Sequence, residues 1–308
     1  MTAPILRPID LPTGEIAVHG AFDLSAASQW LAGTGPAGSF CAEPGVLRVA
    51  FPVEGTWTHA GAAIRQRSPS TVEVDVAAPV EIAARVVAQV SRMLSLDVDE
   101  SGFAEVASRD SVVRRLHARH SGARPVLYSS PYEAACWAVL TQGMRVPQAM
   151  RLREQLAVRH GRQVGDDGPF SFPSPQILAE LGDEPSVGPF RLARLRAVAR
   201  AAADGRLDTE ELLALPIPDA MTRLCAIPGI GAFSAEQILL HGAGHPDLFP
   251  RLDTQLHQIL CAEYALPPDT PPDELEPLAE DWRPYRSWVA HLFRLDRLRA
   301  AASGEVAD

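Results

Sequence analysis

Two rhythms of apolar and polar residues divide the chain. Over the first 110 or so positions the period is mixed. Glu15-Ile16-Ala17-Val18-His19 alternates as a half-buried strand does, and Val46-Leu47-Arg48-Val49-Ala50-Phe51 is a second such run. Thr71-Val72-Glu73-Val74-Asp75-Val76 is the clearest strand, with three valines on one face and two acids on the other. Residues 23–31 read as a short helix with Ser25 near its N-cap. Pro79 opens a helix on which Ile82, Val86, Val87, Val90 and Leu94 keep helical spacing. The pattern predicts an α+β domain over residues 1–110, a small antiparallel sheet packed on helices.

From Ser111 onward the period is helical. Helices are predicted over 110–119, 131–143, 147–160, 175–181, 190–204, 209–214, 219–226, 233–240, 253–263, 273–279 and 284–299. Prolines such as Pro131, Pro147, Pro175 and Pro189 stand at the breaks, where proline starts a helix but does not continue one. Residues 111–308 are therefore expected to form an all-α domain.

Composition narrows the class. The chain has 308 residues, 46% hydrophobic and 21% charged, enough for two domains with sizeable cores. No apolar run approaches a membrane span, and nothing at the N-terminus reads as a signal peptide, so the expected location is cytoplasmic. Cys41, Cys136, Cys225 and Cys261 are scattered, which speaks against a disulfide framework, a zinc site or an iron–sulfur cluster. His117 and His120, and His241 and His245, lack further ligands at suitable spacing, so no catalytic metal is expected.

The net charge of -10 argues against a general nucleic-acid coat protein. The charge is uneven, however. Residues 111–207 carry 14 arginines against eight acids, so a locally basic face sits on an acidic chain. A set of solvated helix faces would give the same count. There is no lysine anywhere in the chain.

One stretch stands apart: Leu224-Cys225-Ala226-Ile227-Pro228-Gly229-Ile230-Gly231-Ala232-Phe233-Ser234. A helix ends near Ala226, Pro228-Gly229-Ile230-Gly231 makes a tight hairpin, and a second helix starts around Phe233. Both glycines permit positive φ and a close approach of backbone to a ligand. Exposed N–H groups at such a turn make a place for a phosphate without any lysine. The alternative is an ordinary αα-hairpin. A dozen residues further on, Phe249-Pro250-Arg251-Leu252-Asp253-Thr254 places Asp253 at a helix start, where it either caps the helix or faces a cleft.

Together these segments resemble the helix-hairpin-helix DNA glycosylase superfamily, in which a Leu-Pro-Gly-Ile-Gly hairpin is followed by an acid before Thr. Further landmarks resemble its 3-methyladenine DNA glycosylase II (AlkA-type) branch. They are Arg124-Pro125-Val126-Leu127, Pro131-Tyr132-Glu133-Ala134, Trp137-Ala138-Val139-Leu140-Thr141-Gln142, Phe172-Pro173-Ser174-Pro175, the helix with Arg191, Arg194 and Arg196, and Trp282-Arg283-Pro284-Tyr285-Arg286-Ser287-Trp288. The resemblance covers about residues 94–298, and the N-terminal domain loosely. It implies a TATA-binding-protein-like sheet domain followed by two helical subdomains flanking a cleft.

By this resemblance Asp253 is the catalytic residue. Phe233, Gln237, Phe293, Trp137 and Tyr132 would line the substrate pocket. Gln142, Gly143, Met144, Arg145, Pro228, Gly229, Ile230, Gly231, Ser234 and Arg286 would meet DNA. Carbonyls around Gly229 and Gly231 would hold a monovalent cation, with no other cofactor. The partner would be double-stranded DNA with alkylated bases, bound by a monomer on the nucleoid. Members that also cut the strand use a lysine two residues after the last hairpin glycine. Phe233 stands there, so a lysine Schiff base is excluded and attack by water remains.

The chain also departs from the pattern. Positions that carry electron-rich aromatics in the family are Phe233, Gln237 and Phe293, weak or absent partners for a cationic base. Gly143 stands where a bulky residue fills the gap left by a flipped base, with Met144 the candidate wedge. Tyr132, Trp137, Tyr285 and Trp288 are either pocket rings or core aromatics. Two alternatives therefore stay open: a non-catalytic binder of damaged DNA, and a glycosylase for a different lesion.

Overall fold

The computed structural model describes residues 13–34 and 40–303. Within them the valine-rich run does what its alternation predicts. Strand β5 (Thr71–Ala77) buries Val72, Val74 and Val76 completely and turns Glu73 and Asp75 outward. Arg67 and Arg65 of the adjacent strand meet those two acids. The sheet has five strands in the order β1-β5-β4-β3-β2, antiparallel throughout, with β1 Thr13–Ala17, β2 Phe40–Glu43, β3 Val46–Pro52 and β4 His59–Ser68. Helices α1 (Leu24–Thr34) and α2 (Ala83–Met93) cover its apolar face. Leu24, Leu31, Val86, Val90 and Leu94 join the strand valines in one core. A 3₁₀ turn at Val80–Ile82 precedes α2, so the helix begins later than Pro79 suggests.

The remaining helices build two further cores. The first gathers α5 (Pro131–Thr141), α6 (Val146–His160), α7 (Pro175–Glu180), α8 (Pro189–Ala203), α9 (Thr209–Ala214), α10 (Ile217–Cys225) and α11 (Ala232–Ile238). The second unites α3 (Phe103–Ser108) and α4 (Ser111–Arg119) with α12 (Thr254–Glu263), α13 (Pro272–Leu275) and α14 (Arg286–Ser303). The chain thus leaves this last core after α4, builds the middle one, and returns at Phe249. Asp110 fastens the two ends. One oxygen caps α4 through Val112 and Val113, and the other accepts from the Tyr264 hydroxyl and the Trp282 indole. A short β6 (Arg162–Gln163) and β7 (Phe170–Ser171) pair is tucked against the sheet.

Helix bounds follow the sequence pattern within a few residues. The differences have causes. Strand β4 (His59-Ala60-Gly61-Ala62-Ala63-Ile64 at its start) has small residues on its buried face, which carry no strand propensity. Helix α3 has six residues, too few to show a period. Among the described residues no helix is long and apolar enough to cross a membrane.

Two buried acids brace the middle core. Glu133 of α5 pairs with Arg153 of α6, their side chains 3% and 1% exposed, and Ser129 donates to the same carboxylate. Glu236 of α11 accepts from the backbone N–H of Leu252 at 3.0 Å and so holds the 249–253 loop against the helix. Burial raises Glu236 to about 7, against the pull of that N–H and of Arg294.

Two outcomes follow. Arg153→Met leaves Glu133 buried without its cation, and chemical denaturation is expected to show a loss of about 3–5 kcal/mol. A loss below ~1 kcal/mol would show that the pair is not structural. For Glu236, a carboxyl raised on folding contributes stability that is full below its unfolded value and is lost as pH rises through about 7. The unfolding free energy is expected to fall between pH 4.5 and 7 more steeply in the wild type than in Glu236→Gln, and parallel curves would contradict this.

Candidate active site and nucleic-acid interface

The hairpin is anchored from below. Ile227 and Ile230 are buried in the middle core, which fixes the turn between α10 and α11. Gly229 has φ +94°, and a Cβ there would lie 2.8 Å from the Arg194 side chain, so both freedom of backbone and lack of side chain are used. Gly231, in contrast, is in ordinary extended backbone at the N-cap of α11. The positive φ that a glycine permits is therefore used at Gly229 and not at Gly231.

Three segments are tied into one face beside the hairpin. Gln142 donates its amide to the Gly229 carbonyl at 2.6 Å and accepts from Arg194 at 2.6 Å, while Arg191 donates to the Gln142 carbonyl at 2.9 Å. The hairpin at Gly229, the Gln142 loop and the start of α8 are therefore brought together. Gly143 has φ +64° with open space around its Cα, and Arg145 is exposed. Met144 is different. It packs against the middle core instead of standing out as a wedge. Phe190, 86% exposed at the start of α8, stands out beside Gln142, Arg191 and Arg194, with no motif in the sequence to mark it.

The Gly229 carbonyl is already engaged by Gln142, and the Ile227 carbonyl accepts from Ile230.

Next to this face opens a cleft of about 680 Å³, where the sheet domain meets both helical cores. Asp253 sits in it, only 5% exposed. The two sequence alternatives for this residue turn out to be compatible. One carboxylate oxygen caps α12, accepting from Gln255 and Leu256 N–H at 3.1 Å. The other is ion-paired with the Arg294 guanidinium. Arg294 also lies 3.3 Å from Nε2 of His241. Burial drives His241 down to about 3, leaving a neutral ring that accepts this contact, and lowers Arg294 to about 10, leaving it charged. Gln237 lines the same cleft, its amide nitrogen unpartnered.

Phe233, half exposed, Gln237 and Asp253 thus meet in the cleft. Other expectations are corrected. Tyr132 is fully buried and donates its hydroxyl to the Pro173 carbonyl at 2.9 Å, so it is a core aromatic. Trp137 packs against the middle core and does not line the cleft. Phe293 is buried against Trp282 and borders a neighbouring cavity of about 480 Å³. Arg286 is buried in an ion pair with Asp247, which its Nε meets at 2.8 Å, and is not free to hold a phosphate. Tyr285 and Trp288 are core residues too. Ser234 is half-buried at the start of α11.

The cleft's electron-rich rings are ones the sequence analysis missed. Trp30 of α1 and Tyr128, just before α5, line the wall with Phe233 and Arg294. Trp30 also packs edge-on against His291, with centroids 4.4 Å apart. No local motif marks Trp30 or Arg294. Tyr128 lies beside the Ser130 cap and Pro131 that open α5, the one signal near it.

No family model matches the chain. It is 28% identical over 176 residues to the putative DNA-3-methyladenine glycosylase YfjP of Bacillus subtilis, covering 56% of this chain and 60% of that protein. The chain thus spans about three fifths of that relative's length. It is 26% identical over 223 residues to a DNA-3-methyladenine glycosylase of the same organism, covering 68% and 72%. Among solved structures, a 3-methyladenine DNA glycosylase from Archaeoglobus fulgidus superposes with a TM-score of 0.76 at 21% identity, covering 92% of this chain and 98% of that one. An 8-oxoguanine glycosylase/lyase from Clostridium acetobutylicum, bound to double-stranded DNA, gives 0.67 at 17% identity, covering 96% and 100%. In sequence the chain is similar to these DNA-3-methyladenine glycosylases, and in fold to the solved glycosylase structures.

Proposed function

We propose that the protein is a monofunctional DNA glycosylase that hydrolyses the N-glycosidic bond of alkylated purines after the base has left the duplex stack. The observation that carries this reading is Asp253, a nearly buried carboxylate in an aromatic-walled cleft beside a glycine hairpin. The sheet unit would be the TATA-binding-protein-like domain, and duplex DNA the partner of a monomer. The DNA-bound relative of like fold supports that choice of partner.

The roles follow from placement. The hairpin and the Gln142 loop lie against the backbone, and Arg191 and Arg194 add fixed positive charge beside them. Extruding a base costs a few kcal/mol, which an apolar wedge offsets by filling the gap. With Gly143 bare and Met144 turned inward, Phe190 takes that role. In the cleft Tyr128, Trp30 and Phe233 offer ring faces to the base. As the C1′–N9 bond breaks, positive charge grows on the sugar and the Asp253 carboxylate opposes it and orients water. The absence of lysine throughout the chain supports hydrolysis without strand cutting.

Base release from methylated duplex DNA tests the reading. Asparagine keeps the N-cap but leaves Arg294 without its anion, so Asp253→Asn is expected to fold with some loss of stability and to lose about 10³-fold or more in single-turnover release. An unchanged rate in the variant would remove Asp253 from the mechanism. Phe190→Ala is expected to slow release from duplex DNA about tenfold while leaving release from single strands as it was. Equal slowing on both would mean that the ring is not a wedge.

A further inference from the structure

Helix α11 runs directly into a single π turn, Leu239–Ala243. Gly244 closes it at φ +80°, and the His245 N–H returns to the Leu239 carbonyl at 3.0 Å. Gly242 lets the turn lie close to α5, since a Cβ there would stand 2.8 Å from Ala134 and from Pro131. Such turns are rare and are frequent at functional sites, because they re-aim the side chains they carry. The residue at the centre of this one is His241, and it makes two contacts that bear on the cleft. Its ring Nε2 accepts from Arg294 at 3.3 Å, and its backbone carbonyl accepts from the Tyr128 N–H at 2.7 Å. The Arg294 fork is thereby held at both tips, Nη1 on the ring and Nη2 on the Asp253 carboxylate. The ring can accept because it is neutral, burial and the adjacent Arg294 holding it at about 3. A space of about 20 Å³ adjoins the pair, lined by His241, His291 and Arg294 among others. It is about the size of one water and far too small for a guanidinium. An Arg294 without the ring can therefore turn only into the open cleft.

We propose that His241 is a positioning residue of the Asp253 site, its ring holding the Arg294 guanidinium on the carboxylate and out of the space for the base. The same residue sets Tyr128 in the cleft wall through its carbonyl, so the π turn aligns the carboxylate's partner and a ring face together. The inference rests on the glycosylase reading above. His241 touches neither base nor sugar in this role and moves no proton. It acts through Arg294, which keeps the carboxylate in its charged form at one fixed edge.

The test compares the wild type with His241→Leu, which removes the acceptor, and His241→Gln, which keeps one. In the full chain, the carboxyl carbon signal of Asp253, identified by its loss in Asp253→Asn, is followed by NMR against pH. His241→Leu is expected to raise the midpoint by about one pH unit, because a loosened cation favours the carboxylate less. His241→Gln is expected to stay near the wild type. The acidic limb of single-turnover release from methylated duplex DNA should move with the midpoint, and the plateau rate should fall about tenfold in His241→Leu alone. Arg294, Arg297, Tyr128 and Glu236, the other charged and titratable groups around the carboxylate, are the same in all three proteins. A midpoint that does not move in His241→Leu overturns the proposal. So does the same shift and the same slowing in both variants, which would mark the ring as packing alone. If the wild type releases no base, the glycosylase reading fails by itself, and the carboxyl titration still decides whether His241 positions the pair.

Discussion

The Asp253 carboxylate is where the demands of the fold and of the site meet. It starts α12 by accepting two backbone N–H groups, and it answers a guanidinium from α14. Its loop is held to α11 by Glu236. Three elements from different parts of the chain thus depend on one acidic residue or on its immediate neighbours. A buried carboxylate is tolerated only with such partners, because desolvation of an isolated charge costs far more than a domain's net stability. The partners that stabilise the charge also fix its position to within the reach of a hydrogen bond, which a reacting group needs.

The cleft is a product of assembly. Trp30 comes from the sheet domain, Phe233 and Gln237 from the helix after the hairpin, and Asp253 and Arg294 from the last helical core. None of the three cores contains the site. The packing of each is ordinary, with apolar faces turned inward at helical or strand spacing. What is particular is that the chain leaves the last core after α4 and returns to it at Phe249, which lays α11 and α14 on facing walls.

Local chemistry was the legible part. The alternation at Val72, Val74 and Val76, the prolines at helix starts, the hairpin and the acid before Thr254 each act over a few residues and leave a mark in the sequence. The alanine-faced β4 left none, because small side chains pack well in a sheet without favouring one. Placement in the cleft was legible only where the resemblance reached. Even there, one step along a helix mattered. Neighbouring residues on a helix point about 100° apart, so the phase of α14 puts Phe293 in the core and Arg294 in the cleft. Tyr132 and Trp137 were misplaced for a related reason, since a ring on a buried helix is pocket or core according to tertiary packing alone.

Helix α14 carries a consequence for timing. Its first residue, Arg286, is locked to Asp247, and Val289, Leu292 and Phe293 are buried in the last core. A helix held at its start and along its length does not slide, so Arg294 leaves Asp253 only by rotating its own side chain. Side-chain rotations occur in picoseconds to nanoseconds where there is room, whereas loop and domain closures take microseconds to milliseconds. Exposure of the carboxylate therefore needs no movement of the backbone, only a change in the Arg294 side chain.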